Sequence, residues 1–294
     1  MKIGIIGSTG LVGSRVIELL KNSYDFSEFN SSTGTDITEP NTLINLAQSS
    51  EIQWVILLAA KTDVDGCELD RELGENGDAW RINVSGPNNV AQVCRENGKK
   101  LIYISTDFVF DGTKPEEESY TEEDTPNPIN WYGYTKWKGE QAVIESGAEY
   151  VIVRLAYPYR ADFEKKKDFM RAIKDRLGSG QIVSGVSDHV FSPTYIDDFV
   201  NALDMLIQQN VLGIYHVVGS MSLTPFEAVQ TIAKEFDFDI SHVKSTTREQ
   251  FFAGKADRPF NLAMNNDKIN ALGVHMKTFE EGLQEIKHQI TNSK

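Results

Sequence analysis

Short apolar runs alternate with longer amphipathic stretches through the first half of the chain. Strands are predicted at Lys2 to Ile6, weakly at Phe26 to Asn30, and at Trp54 to Ala59, Lys100 to Ser105 and Tyr150 to Leu155. Between them the spacing predicts helices from Leu11 to about Asn22, near Asn41 to Gln48, over Val84 to Glu96 and over Tyr132 to Ser146. Runs that are apolar on both faces suit a sheet covered by helices on each side. Their alternation with helices specifies an α/β fold with a doubly wound parallel sheet and right-handed crossovers.

The second half interleaves two bodies. Asp168 to Leu177 and Gln181 to Val186 begin a smaller lobe, Ile196 to Ile207 and Gly213 to Val218 return to the sheet, and Thr224 onward completes the lobe. The expected division is therefore 1–160 with 191–219 for the sheet domain, and 161–190 with 220–294 for the lobe. A cleft between them follows.

At 294 residues the chain can bury a substantial core without disulfides or metals. Its two cysteines, Cys67 and Cys94, lack metal-like spacing and read as buried free thiols. A strand begins at once after Met1, leaving no room for a signal peptide, and the longest apolar run is far too short to span a bilayer, so a soluble cytoplasmic protein is expected. The net charge of -14 disfavours nucleic acid and anionic membranes as partners.

Candidate chemistry begins where the first strand runs into Gly7-Ser8-Thr9-Gly10-Leu11-Val12-Gly13. Glycines there allow a sharp turn and close approach to a pyrophosphate, while free amides at the helix start face the anion. The spacing is GxxGxxG rather than GxGxxG, and a plain glycine-rich turn has the same composition. Its place after the first strand favours a Rossmann-type dinucleotide site.

Tyr132 and Lys136 lie four residues apart on one helix face. A free phenol titrates near 10, so acting as an acid near neutrality needs stabilisation of its anion by roughly 4 kcal/mol. A cation about 4 Å away supplies that at an effective dielectric near 20. Two exposed residues produce the same spacing by chance. Thr106 ends the apolar run Leu101 to Ser105, at a sheet edge where ligands bind, although a strand-capping threonine is the structural alternative.

In order, these segments resemble the extended short-chain dehydrogenase/reductase family, and within it the dTDP-4-dehydrorhamnose reductases. The likeness extends over Ala59-Ala60-Lys61-Thr62-Asp63-Val64-Asp65, Asn83-Val84, Ser105 to Gly112, Tyr132 to Glu140, Val153-Arg154, Ser192 to Tyr195, Gly213 to His216 and Arg258-Pro259. It implies a catalytic set of Thr106, Tyr132 and Lys136, with Tyr132 protonating a C4 ketone, Thr106 orienting that carbonyl, and Lys136 holding the nicotinamide ribose. It further implies that Gly7, Thr9, Gly10, Leu11, Val12, Gly13, Ser31, Asp36, Ile37, Ala59, Ala60, Lys61 and Asn83 surround the cofactor. Thr62, Val64, Asp107, Tyr157, Phe191 and Arg258, with Thr106, would line the sugar site.

Departures concern the substrate more than the chemistry. Leu155-Ala156-Tyr157 replaces the Thr-Ser-Trp usual after the arginine, and Phe191 introduces a large aromatic. Phe108 stands where sugar-nucleotide dehydratases of the family carry a glutamate, and it cannot move protons. Lys165, Lys166, Lys167, Arg171 and Arg258 are the candidate cations to meet an anionic substrate in so acidic a chain, with Arg258 the strongest and the lysine run better read as a solvated loop.

The resemblance implies a nicotinamide dinucleotide as cofactor. Asn30-Ser31-Ser32, at the expected end of the second strand, offers neither acid nor arginine, which tilts the choice toward NADP; Glu28 would serve NAD if that strand ended earlier. The expected partner is a nucleotide-sugar substrate, homodimerisation is left open, and no metal-ligand set is visible. The leading expectation is NAD(P)H-dependent reduction of a nucleotide-linked 6-deoxy-4-ketohexose. Alternatives are an NAD-dependent sugar-nucleotide epimerase and a noncatalytic nucleotide-binding subunit like the regulatory subunit of methionine adenosyltransferase.

Overall fold

The computed structural model describes residues 1–165 and 167–292. Lys166, one of the candidate cations, and residues 293–294 lie outside the described residues. Six strands form one parallel sheet: β1 (Lys2–Ile6), β2 (Asp25–Phe29), β3 (Ile52–Leu57), β4 (Lys100–Thr106), β5 (Tyr150–Leu155) and β6 (Gly213–His216). Their order is β6-β5-β4-β3-β1-β2. The chain steps from β1 outward to β2, then returns to the other side of β1 at β3, so direction reverses between β1 and β3. Open sheets bind ligands at such a reversal, outside the carboxyl ends of the strands.

Both faces of the sheet are covered, which explains why its strands read as continuous apolar runs. On one face Ile3, Ile5, Val151 and Val153 pack against α1 (Leu11–Leu20) and α5 (Ile196–Gln208) through Val16, Phe199 and Leu203. Arg15 clasps the Asp197 carboxylate at 2.7 and 2.6 Å, fixing α1 to α5. On the other face Val55, Leu57, Tyr103 and Ile152 meet α2 (Gly86–Glu96) and α3 (Trp131–Glu145) through Val90, Cys94 and Val143.

A second core joins α4 (Phe169–Gly178), α6 (Pro225–Glu235) and α7 (Phe279–Asn292) through Met170, Ile232, Phe279 and Leu283. Two short parallel pairings, Val183–Val186 with Val243–Thr246 and Val190–Phe191 with Asn261–Leu262, knit this lobe together. Among the described residues no helix is long and apolar enough to cross a membrane, and no cluster of His, Cys, Asp and Glu could hold a metal ion.

Element edges differ from expectation in two informative places. The helix expected from Val84 begins earlier, as Asp78–Trp80, and runs through a π turn over Arg81–Ser85 before α2. The stretch near Asn41 divides into a 3₁₀ turn, Pro40–Leu43, and a short helix, Ile44–Gln48, because proline sets the first turn.

Candidate active site

Three strand ends build the site. After β1 the chain turns at Gly7, where φ is +92° and an added Cβ would stand 2.9 Å from the Ala59 amide nitrogen. Gly13 presses α1 onto that turn, since a Cβ there would come within 2.4 Å of the Gly7 carbonyl oxygen. Gly10 differs: a Cβ would meet only that same oxygen, at 3.4 Å. Gly10 is the N-cap of α1 and no side chain caps the helix. The first-turn amides thus face outward with space above them, a cradle that fits a pyrophosphate.

After β3, the segment Ala59–Lys61 is held by Asn83, which is fully buried. Asn83 Oδ1 accepts from the Lys61 amide at 2.9 Å, and its Nδ2 donates to the Lys61 carbonyl at 3.0 Å and to Thr135 Oγ1 at 3.1 Å. One amide therefore ties this loop to the helix carrying Tyr132. The π turn positions it, as such bulges commonly do at functional sites. The Lys61 ammonium is directed to Asp70 at 2.6 Å, which raises its pKa. Thr62 is exposed, and Val64 opens the helix Val64–Glu68.

After β4, Thr106 and Asp107 are buried side by side, with the Thr106 hydroxyl donating to Asp107 Oδ1 at 2.8 Å. Asp107 Oδ2 is buried and without a partner. Burial pushes the Asp107 carboxyl up to about 7. The amino end of α3 abuts this turn so closely that a Cβ on Gly133 would lie 2.1 Å from the Phe108 carbonyl oxygen. Phe108 contacts the Tyr132 ring edge-on, centroids 5.6 Å apart.

Tyr132 is 8% exposed and Lys136 only 2%. Burial pushes the Tyr132 phenol above its ordinary range, and a hydrogen bond with Thr106 partly opposes the shift. The Lys136 ammonium donates to Tyr103 Oη and to the Ile104 carbonyl, both at 2.7 Å, and sits 4.1 Å above the Tyr103 ring. Burial lowers its pKa to about 7, with Glu140 acting against that. The expected balance is thus altered: desolvation dominates the phenol, and Lys136 bonds Tyr103, a partner the spacing alone did not reveal.

The further residues expected around a cofactor, Ser31, Asp36 and Ile37, lie past β2. Ser31 belongs to the 3₁₀ turn Ser31–Thr33, capped by the Asn30 side chain. Asp36 accepts from the Thr38 amide and hydroxyl at 2.9 and 2.8 Å, and those bonds lower its pKa. Ile37 is buried against Gly86, and its carbonyl accepts from Asn89 Nδ2 at 2.9 Å.

On the lobe side the residues are more closely engaged than the sequence suggested. Arg258 bonds Asp65 Oδ1 at 2.8 Å and the Ala256 carbonyl at 2.6 Å, and lies over the Phe252 ring. Lys167 pairs with Asp175, and Arg171 with Asp168 at 2.9 Å. Phe191 is 1% exposed and stands behind Tyr157, ring centroids 4.2 Å apart. Tyr157 takes φ +42°, a conformation costing a bulky residue about 1–3 kcal/mol. His189, whose ring stacks on Phe191, was not singled out from the sequence. A lone histidine in an apolar segment carries no signal until the fold sets it beside Tyr157.

Fold and site together define a Rossmann-type oxidoreductase of the extended short-chain dehydrogenase/reductase class. Within it, the chain belongs to the family described as RmlD substrate binding domain, whose pattern matches residues 1–292. A probable low-salt glycan biosynthesis reductase, Agl14, of Haloferax volcanii is 28% identical, with 95% of each chain covered. The methionine adenosyltransferase 2 subunit beta of Xenopus laevis is 30% identical, covering 96% of this chain and 85% of that one. The crystal structure of dTDP-4-dehydrorhamnose reductase from Bacillus anthracis in complex with NADP superposes with a TM-score of 0.88 at 32% identity, covering 98% of this chain and 99% of that chain.

Proposed function

We propose that the protein reduces the C4 ketone of a nucleotide-linked 6-deoxy-4-ketohexose with NADPH. The observation that carries this is the approach of Tyr132 to Thr106 at the carboxyl end of β4, on the same edge of the parallel sheet as the turn from Gly7 to Gly13 after β1, with Lys136 one helical turn beyond Tyr132. A bound reduced nicotinamide supplies the hydride. Tyr132 gives its proton to the carbonyl oxygen, and the Thr106 hydroxyl, turning from Asp107 Oδ1, donates a hydrogen bond to that oxygen. Lys136 carries the ammonium that meets the cofactor ribose, anchored from below by Tyr103 and Ile104. Phe108 and the buried floor around Tyr132 exclude water from the proton transfer.

The division of labour follows the two bodies: 1–160 with 191–219 hold the cofactor, and 161–190 with 220–294 hold the sugar. NADP is the better fit because β2 ends at Phe29 and is followed by Asn30, Ser31, Ser32 and Thr33, with no acid to repel a 2′-phosphate. Glu28 lines a groove with Lys21, Tyr24 and Phe26. The NADP complex of the Bacillus anthracis relative supports the same choice.

Incubation with NADPH and dTDP-4-dehydrorhamnose, or a panel of other ketosugar nucleotides, should consume reduced nicotinamide in proportion to the hexose formed. A panel that leaves NADPH untouched ends the reductase reading. A second reading, a noncatalytic subunit, draws support from the methionine adenosyltransferase 2 subunit beta of Xenopus laevis. Behaviour indifferent to Tyr132→Phe, with stable binding to a partner enzyme, would establish that alternative.

A further inference from the structure

Tyr157 holds its left-handed φ of +42° directly after β5, so the surrounding contacts must over-determine it. Those contacts are directional. His189 Nδ1 lies 2.7 Å from the Pro259 carbonyl oxygen, which can only accept, so Nδ1 carries the proton. Burial keeps the ring neutral, lowering its pKa to about 4. Nε2 is then an acceptor. The Tyr157 hydroxyl, 3.3 Å away, donates to it.

With its proton committed, the Tyr157 oxygen offers only lone pairs. Its support is firm: His189 is 1% exposed, Val190 donates to the Phe260 carbonyl at 2.8 Å, and Val190–Phe191 pairs with Asn261–Leu262. Tyr157 itself is half-buried and packs against both the lobe core and the cluster that contains Tyr132. Asp107, Arg258 and Tyr132 are the charged and titratable groups close enough to act on its phenol. Packing against that cluster sets the Tyr157 ring at the end of the cleft where Tyr132 lies.

We propose that His189 is a positioning residue that makes the Tyr157 hydroxyl an obligate hydrogen-bond acceptor, so that the cleft selects a nucleotide-linked hexose presenting a hydroxyl donor to Tyr157. The inference rests on the nucleotide-sugar reading above and adds which side chain reads the sugar and with what polarity. A site built to hydrogen-bond a hydroxyl rejects an analogue lacking it much more strongly than an apolar wall rejects an added one.

Calorimetric titration of the full chain, saturated with NADP, with dTDP-glucose and its singly deoxygenated analogues reads this without turnover. One analogue should bind about 10- to 100-fold more weakly than the parent, the scale of one hydrogen bond to a buried partner. Tyr157→Phe should erase that difference, His189→Phe, which frees the Tyr157 proton but keeps its lone pairs, should narrow it, and both should leave NADP affinity unchanged. His189→Gln, whose amide oxygen can accept from Tyr157, should restore most of it. Discrimination that survives both Phe variants, equal binding of every analogue to the unaltered protein, or no binding of any dTDP-hexose overturns the inference. Ketosugar reduction is scored separately: reduction without Tyr157-dependent discrimination removes only this inference, and discrimination without reduction removes only the reductase reading.

Discussion

Glu140 and Arg154 form a two-pronged ion pair, Nε to Oε1 at 3.0 Å and Nη2 to Oε2 at 2.7 Å, with both side chains 2% exposed. Glu140 lies one helical turn beyond Lys136 on α3, and Arg154 stands on β5 with Nη1 3.4 Å from His216 Nε2 on β6. The pair therefore joins the helix carrying Tyr132 and Lys136 to the far edge of the sheet. Removing one partner leaves an uncompensated buried charge, so Glu140→Gln and Arg154→Met should each destabilise by about 3–5 kcal/mol. Urea unfolding measures this, and a Glu140→Leu, Arg154→Met double variant should recover most of the loss.

Asp107 opposes stability at neutral pH. Its folded pKa, raised by burial to about 7, lies above the roughly 4 of an unfolded chain. The folded state binds more protons between those values, so the penalty is absent below about pH 4, grows as pH rises from 4 to 7 and is complete above 7. Asp107→Asn should be more stable than the unaltered protein by roughly 2–4 kcal/mol at pH 8, with the gap closing toward pH 4. Activity should fall in the same variant, because the site trades stability for function.

The glycine turn separates two requirements. Gly13→Ala forces a Cβ to within 2.4 Å of a backbone oxygen and should lower the melting temperature by several degrees. Gly10→Ala meets only a contact at 3.4 Å, so its fold should survive while NADPH affinity drops about tenfold or more. Thermal unfolding paired with NADPH fluorescence titration tells the two apart.

Tyr132→Phe should lower turnover on the order of 10²- to 10⁴-fold with NADPH affinity unchanged. Lys136→Met should weaken both, since its ammonium, anchored by Tyr103 and Ile104, is the group proposed to meet the cofactor ribose. Single-turnover kinetics alongside equilibrium cofactor binding provide the comparison.

Much of this was legible in the chain. Apolar runs such as Ile3 to Ile6 and Leu101 to Ile104 disclosed a parallel sheet because each is buried on both faces. The glycine turn and the Tyr132 and Lys136 pair were visible because their spacing is local, and Thr106 because it ends an apolar run. What stayed hidden depends on distant segments meeting. Tyr103 is a core strand residue until α3 lays Lys136 over it, and Arg258 reads as a free cation until Asp65 reaches it. His189 and Pro259 are seventy residues apart, and no periodicity links them.

The π turn over Arg81–Ser85 has one last implication, for how this segment can change. It carries an extra residue relative to an α-helical turn, and losing that residue would swing everything before it by about 100° around the helix axis. Asn83 would then face away from both Lys61 and Thr135. Substitutions can accumulate in this stretch, but its length is locked: a single-codon deletion should be more damaging than most replacements within it.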